Sequence, residues 1–89
     1  MPKQIKQKII EVEGIEYILR LPGLMERINM DERTRGKNGS IEDEALYREL
    51  MEHVIFLRDG SKVDFEYFEE TPGFLEVMRE AMAFTFRTT

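Results

Sequence analysis

Ile9-Ile10-Glu11-Val12-Glu13-Gly14-Ile15-Glu16-Tyr17-Ile18-Leu19-Arg20-Leu21 is the stretch from which the fold is read. Its second half alternates strictly. Ile15, Tyr17, Leu19 and Leu21 point one way, and Glu16, Ile18 and Arg20 the other, the period of a strand with one buried face. Glu13-Gly14 is then a two-residue turn, in which glycine supplies the positive φ and glutamate is a poorer partner than Asn or Asp. With Val12 opposite Ile15, the register sets Ile10 against Tyr17, Ile9 against Ile18 and Glu11 against Glu16, the last a mild like-charge penalty. A lone hairpin is marginal in water, so its apolar face must be covered. The expected fold is therefore α+β: an N-terminal antiparallel hairpin over residues 5–21, packed against three to four helices.

The helices follow outward from the hairpin. Pro22 suits a first helical turn and opens a helix over about 23–31, with Leu24, Met25 and Ile28 on one side. Residues 33–39, Arg33-Thr34-Arg35-Gly36-Lys37-Asn38-Gly39, are polar and non-periodic and read as a mobile loop. Ser40 reads as the N-cap of a helix over about 41–55, with Glu42, Asp43 and Glu44 where the helix dipole favours acid. That helix carries a stripe of Leu46, Tyr47, Leu50, Met51, Val54 and Leu57. Asp59-Gly60 is a turn. The segment 54–68 reads either as a second hairpin, with Val63, Phe65 and Tyr67 alternating, or as a turn and short extended stretch leading into a short helix capped by Asp64, the reading preferred here for 58–70. Thr71 and Pro72 then open a closing helix over about 72–86, striped by Phe74, Leu75, Met78, Ala81, Met82, Thr85 and Phe86.

At 89 residues the chain has room for one domain, 1–89. It has no cysteine, which removes disulfide scaffolds, thiolate nucleophiles and zinc fingers. No apolar run approaches the length of a membrane span, and the basic start is not followed by the apolar region of an export signal, so the cytoplasm is the expected location. Asn38-Gly39-Ser40 has the letters of a glycosylation acceptor but reads as a turn and a helix cap. Charge is uneven: residues 1–37 carry a net +2 and residues 38–89 a net −7. The basic candidates Arg27, Arg33, Arg35 and Lys37 are interrupted by Glu26, Asp31 and Glu32 and lack interleaved aromatics. They read as a solvated face, with no nucleic acid partner.

The inventory for catalysis is poor, and no enzyme is expected. His53 is the only histidine, four residues after Glu49, with no second histidine to complete a helical metal site. No serine stands in a nucleophile-elbow context. Glu42-Asp43-Glu44 and Glu69-Glu70 read as helix starts. Asp59-Gly60-Ser61-Lys62-Val63-Asp64 lacks the ligands of a calcium loop, and Gly36-Lys37-Asn38-Gly39-Ser40 lacks the spacing of a phosphate loop. No catalytic residue, cofactor or metal ligand is assigned.

Binding surfaces remain. Phe65, Tyr67, Phe68, Phe74, Phe84 and Phe86 crowd the C-terminal third with Met78 and Met82, more apolar bulk than one small core readily hides. Adaptable Met and anchoring aromatics suit an interface. Phe84 falls off the stripe of Phe74, Met78, Met82 and Phe86 and is expected to be exposed. The expected partner-binding surface is Phe84, Met82, Phe68 and Tyr67.

The order of these features resembles the bacteriophage tail assembly chaperones. The likeness rests on Gly14-Ile15-Glu16-Tyr17-Ile18-Leu19-Arg20 followed by Pro22-Gly23-Leu24 and a helix. It continues through the acidic amphipathic helix of 46–54, Val63-Asp64-Phe65-Glu66-Tyr67-Phe68-Glu69-Glu70, and a closing helix with Phe84 near its end, so that it spans about 9–86. The resemblance implies a non-enzymatic α+β protein of an infected bacterial cytoplasm that binds the tape-measure protein, shields its long helical apolar surface and helps deliver tail-tube subunits. It also implies self-association and a longer frameshifted form, but no site residues, since no residue-level motif defines the family. The basic 33–39 segment departs from the pattern. The alternative is a small acidic regulatory or inhibitor-type adaptor for one enzyme or transcription factor.

Overall fold

The computed structural model describes residues 7–36, 39 and 42–87. It is α+β: strands β1 (Gln7–Val12), β2 (Ile15–Arg20) and β3 (Ile55–Leu57), with helices α1 (Leu24–Thr34), α2 (Asp43–His53), α3 (Phe65–Glu70) and α4 (Phe74–Arg87). β1 and β2 pair antiparallel in the expected register, Val12 with Ile15, Ile10 with Tyr17, Ile9 with Ile18 and Glu11 with Glu16. Glu13 and Gly14 both take positive φ, 53° and 79°, the twist-matched turn of a two-residue hairpin. Ile10, Val12, Tyr17 and Leu19 are buried on the inner face. Positions 5 and 6 of the expected hairpin lie outside the described residues.

The sheet has a third strand. Ile55, Phe56 and Leu57 pair antiparallel with β2, so the strand order is β1-β2-β3. The expected helix over 41–55 stops at His53. Val54 donates the last helical bond to the Leu50 carbonyl at 2.9 Å, and its own carbonyl accepts from the Arg20 N–H at 2.8 Å. The chain thereby leaves the helix to fill the open edge of β2, and Leu57 belongs to the strand. Asp59-Gly60 forms the expected turn, with the Asp59 carboxylate accepting from the Ser61 amide at 2.9 Å and from its hydroxyl. The chain folds back far enough for a single bridge between Phe56 and Lys62. Asp64 then caps α3, its carboxylate accepting from the Tyr67 N–H at 2.8 Å. Of the two readings of 54–68, the turn and short helix is the observed one.

Three helix expectations need correction. α1 begins after Gly23, so Pro22 lies just outside it, and it runs on to Thr34. Arg33 and Thr34 are therefore helical where a mobile loop was expected. Thr34 is buried with its hydroxyl on the Asp31 carbonyl at 2.9 Å, and Arg35 reaches Asp31 and the Gly39 carbonyl. Positions 37 and 38 lie outside the described residues. Leu24, Met25 and Ile28 do share a side of α1, but it faces out, Leu24 at 62% and Met25 at 68% exposure. α2 begins at Asp43 with Glu42 at its N-cap; Ser40 lies outside the described residues.

α4 starts at Phe74, two residues later than expected. Gly73, at φ 99°, precedes it, and a Cβ there would come within 2.5 Å of Val12 Cγ1, so the chain turns against the hairpin before it can coil. The buried face of α4 is Val77, Met78, Ala81, Phe84 and Thr85. The expected stripe shares Met78, Ala81 and Thr85 with this face but takes in Leu75, Met82 and Phe86 in place of Val77 and Phe84. Phe84 was expected to be exposed; it is 6% exposed and part of the core, whereas Leu75 is 57% exposed. The inner face of the sheet, α2, α3 and α4 together enclose one apolar cluster around Tyr17, Leu19, Leu50, Ile55 and Met78. No helix among the described residues is long and apolar enough to cross a membrane.

Candidate functional site: an aromatic groove with an acidic rim

A groove of about 560 Å³ lies where α2, α3 and the start of α4 converge, lined by Asp43, Glu44, Tyr47, Phe65, Phe68, Glu69 and Phe74. Local sequence explains each wall. The Asp64 cap fixes where α3 begins, so Phe65 and Phe68, one turn apart, present the same side. Asp43 and Glu44 occupy the first turn of α2, where the dipole favours acid, and Tyr47 follows one turn later. Phe74, the first residue of α4, is the centre of the floor. Its ring meets Tyr47 edge-on at 5.2 Å, Phe68 edge-on at 5.3 Å and Phe65 at 6.0 Å.

Edge-to-face packing of this kind fixes ring positions, so the floor is preformed. Phe68 anchors it to the core by stacking on Tyr17, with ring centroids 6.1 Å apart. Tyr17 is fully buried, and its hydroxyl is 3.0 Å from that of Tyr67. Burial, then the Tyr67 hydrogen bond, holds the Tyr17 phenol well above its ordinary pKa of 10.0. At one end of the groove the Arg48 guanidinium lies 5.0 Å over the Phe65 ring and pairs with Glu44 at 3.0 Å. The remaining rim is acidic. An apolar or aromatic side chain fits such a floor, and cationic neighbours of that side chain meet the rim.

Of the four residues expected to form the binding surface, Tyr67 and Phe68 meet edge-on with ring centroids 4.9 Å apart, but the four do not line one groove. Phe68 lines the groove. Tyr67 turns its hydroxyl to Tyr17 and does not line it. Met82 is half-buried and faces a separate depression on α4 with Arg79, Glu80 and Phe86. Phe84 is core. Tyr47, Phe65 and Phe74 were missed. Three- and four-residue spacing places Tyr47 beside Asp43 and Glu44, which was a usable signal, but the meeting of three helices was not in the sequence.

A second cluster joins α1 to α2. Glu26 and Glu49 each offer a carboxylate oxygen and His53 its Nε2, all within 4.8 Å of one another. The Arg33 guanidinium already stands among them, donating to Glu26 and Glu49 at 2.7 Å each, with His53 at 3.4 and 3.5 Å from the same oxygens. Its hydrogen bonds to Glu49 and then to Glu26 raise the Arg33 pKa further. The chain supplies its own cation here, which makes the cluster a staple between two helices.

No protein-family model matches this chain, and comparison with known proteins and with solved structures finds no match.

Proposed function

We propose that this protein is a non-enzymatic assembly chaperone or adaptor whose groove holds one large apolar side chain of a helical partner, with flanking Lys or Arg on the acidic rim. One observation carries the reading. A preformed aromatic floor of Tyr47, Phe65, Phe68 and Phe74 stands open between Asp43, Glu44 and Glu69. Apolar pockets with a few polar groups at the edge are the usual form of a recognition site, and aromatic anchors supply most of the binding energy at interfaces. The outward stripe of Leu24, Met25 and Ile28 on α1 supports the same reading, since exposed apolar faces mark interaction surfaces. The sequence resemblance supplies a setting in phage tail assembly, with the tape-measure protein as helical partner and tail-tube subunits as cargo in the bacterial cytoplasm.

The groove is tested by NMR titration of the labelled protein with an amphipathic helical peptide carrying a central Phe or Leu flanked by lysines. Shifts confined to Tyr47, Phe65, Phe68 and Phe74 are expected, with about tenfold weaker binding in Phe65→Ala and in Glu69→Lys. Equal affinity for a glutamate-flanked peptide, or shifts elsewhere only, defeats the groove reading. The setting is tested separately, by sequencing the flanking DNA. A neighbouring long gene with sustained helical periodicity and an overlapping frame supports tail assembly, and ordinary metabolic or regulatory neighbours remove it.

A further inference from the structure

The sheet has two edges, and the described residues cover one of them. Beyond β3, the Leu57 N–H donates to the Ser61 carbonyl at 2.8 Å, and Lys62 bridges to Phe56. β1 has no such cover among the described residues. The direction of its free groups follows from parity. Arg20 donates its N–H to Val54, so the even-numbered residues of β2 bond toward β3 and the odd-numbered ones toward β1. Tyr17 faces Ile10 and Leu19 faces Lys8, which leaves the backbone groups of Gln7, Ile9 and Glu11 turned outward. The outer face of the sheet carries an apolar row at right angles to the strands. Phe56 pairs with Ile18, and Ile18 with Ile9, which is 60% exposed at the open end of the row.

We propose that β1 pairs antiparallel with β1 of a second copy of this chain, about a two-fold axis at Ile9, to make one continuous sheet. The side chains select that register. An axis at Lys8 sets lysine against lysine, and an axis at Glu11 sets glutamate against glutamate; both are penalised. An axis at Ile10 sets Glu11 against Ile9. Only the axis at Ile9 joins the two apolar rows end to end, Ile9 against Ile9. It also sets Gln7 of each copy, the cross-strand neighbour of Arg20, against Glu11 of the other. Glu11 and Glu16 lie opposite each other, and Arg58 reaches Glu16 at 3.2 Å. The new neighbours thus give Glu11 an amide donor and bring positive charge toward an acidic pair. The interface is isologous and closes on itself as a dimer.

The chain has no cysteine, so single cysteines report the register cleanly. In sedimentation equilibrium the weight-average mass of the full chain is expected to rise toward twice the monomer mass with concentration. Ile9→Cys is expected to form a disulfide-linked dimer under mild oxidation, because directly opposed strand residues meet the Cα spacing that a disulfide requires. Glu11→Cys, displaced along the strand from its own copy, is expected not to. Ile9→Lys is expected to stay monomeric, with a thermal melt as cooperative as the parent's. A chain that is monomeric at every concentration overturns the proposal. So does a dimer that survives Ile9→Lys, or one that cross-links through Glu11→Cys in preference to Ile9→Cys.

Discussion

Phe84 shows how a single side chain changes meaning between sequence and structure. On a wheel drawn through Phe74, Met78, Met82 and Phe86 it falls off the stripe. On one drawn through Val77, Met78, Ala81 and Thr85 it lies at one edge of the arc, next to Val77, and those residues face the core. Truncating a buried phenylalanine costs about 3–5 kcal/mol, and a buried unpaired carboxylate adds to that in a domain whose whole stability is of order 5–15 kcal/mol. Phe84→Asp is therefore expected to abolish the cooperative thermal melt followed by circular dichroism. Leu75→Asp, on the exposed side of the same helix, is expected to preserve it. A Phe84→Asp protein that melts like the parent would return Phe84 to the surface. The error had a physical source. Val77 is small and stands off the expected stripe, which takes in the bulkier Leu75, Met82 and Phe86 that the fold leaves wholly or partly outside. The buried partners of Phe84 were legible in principle, since positions 74, 77, 78, 81 and 84 repeat at three- and four-residue steps.

At the scale of elements, legibility followed how much each element depends on its neighbours in sequence. The hairpin was read to the residue because alternation and a two-residue turn fix register locally. β3 was not, because three residues carry too little pattern, and Val54 to Leu57 continue the helical stripe of α2. Only the open edge of β2 makes them a strand. The hairpin turn has one misfit. Glu13 holds φ 53°, where an L-residue with a Cβ is strained by about 1 kcal/mol and asparagine is tolerated. Glu13→Asn is expected to raise stability by about 0.5–1 kcal/mol, read as a higher urea midpoint at unchanged slope. Gly14→Ala, at φ 79° with no neighbour within 4 Å of the added carbon, is expected to lower it through backbone strain alone. A midpoint lowered by Glu13→Asn would show that the Glu13 side chain makes a contact worth more than the relief.

At the scale of the molecule, the groove was hidden from sequence because its walls come from three helices whose meeting is set by the sheet and by Gly73. Tyr17 links sheet and groove twice, through the stacked Phe68 ring and through its hydroxyl, which meets that of Tyr67 and joins β2 to α3. It carries a pH dependence whose sign is fixed. The native state holds the Tyr17 proton more tightly than the unfolded chain does, so this contribution to stability is complete below the ordinary tyrosine pKa of 10.0 and is lost as pH rises above it. The limiting slope for one proton is about 1.4 kcal/mol per pH unit. In Tyr17→Phe the half-buried Tyr67 hydroxyl can turn to water, so the variant is expected to lose only about 1 kcal/mol near neutrality. Its urea midpoint should then fall less steeply than the parent's above pH 10, so that the two curves converge. Parallel curves would show that Tyr17 ionises as freely in the folded protein as in the unfolded one.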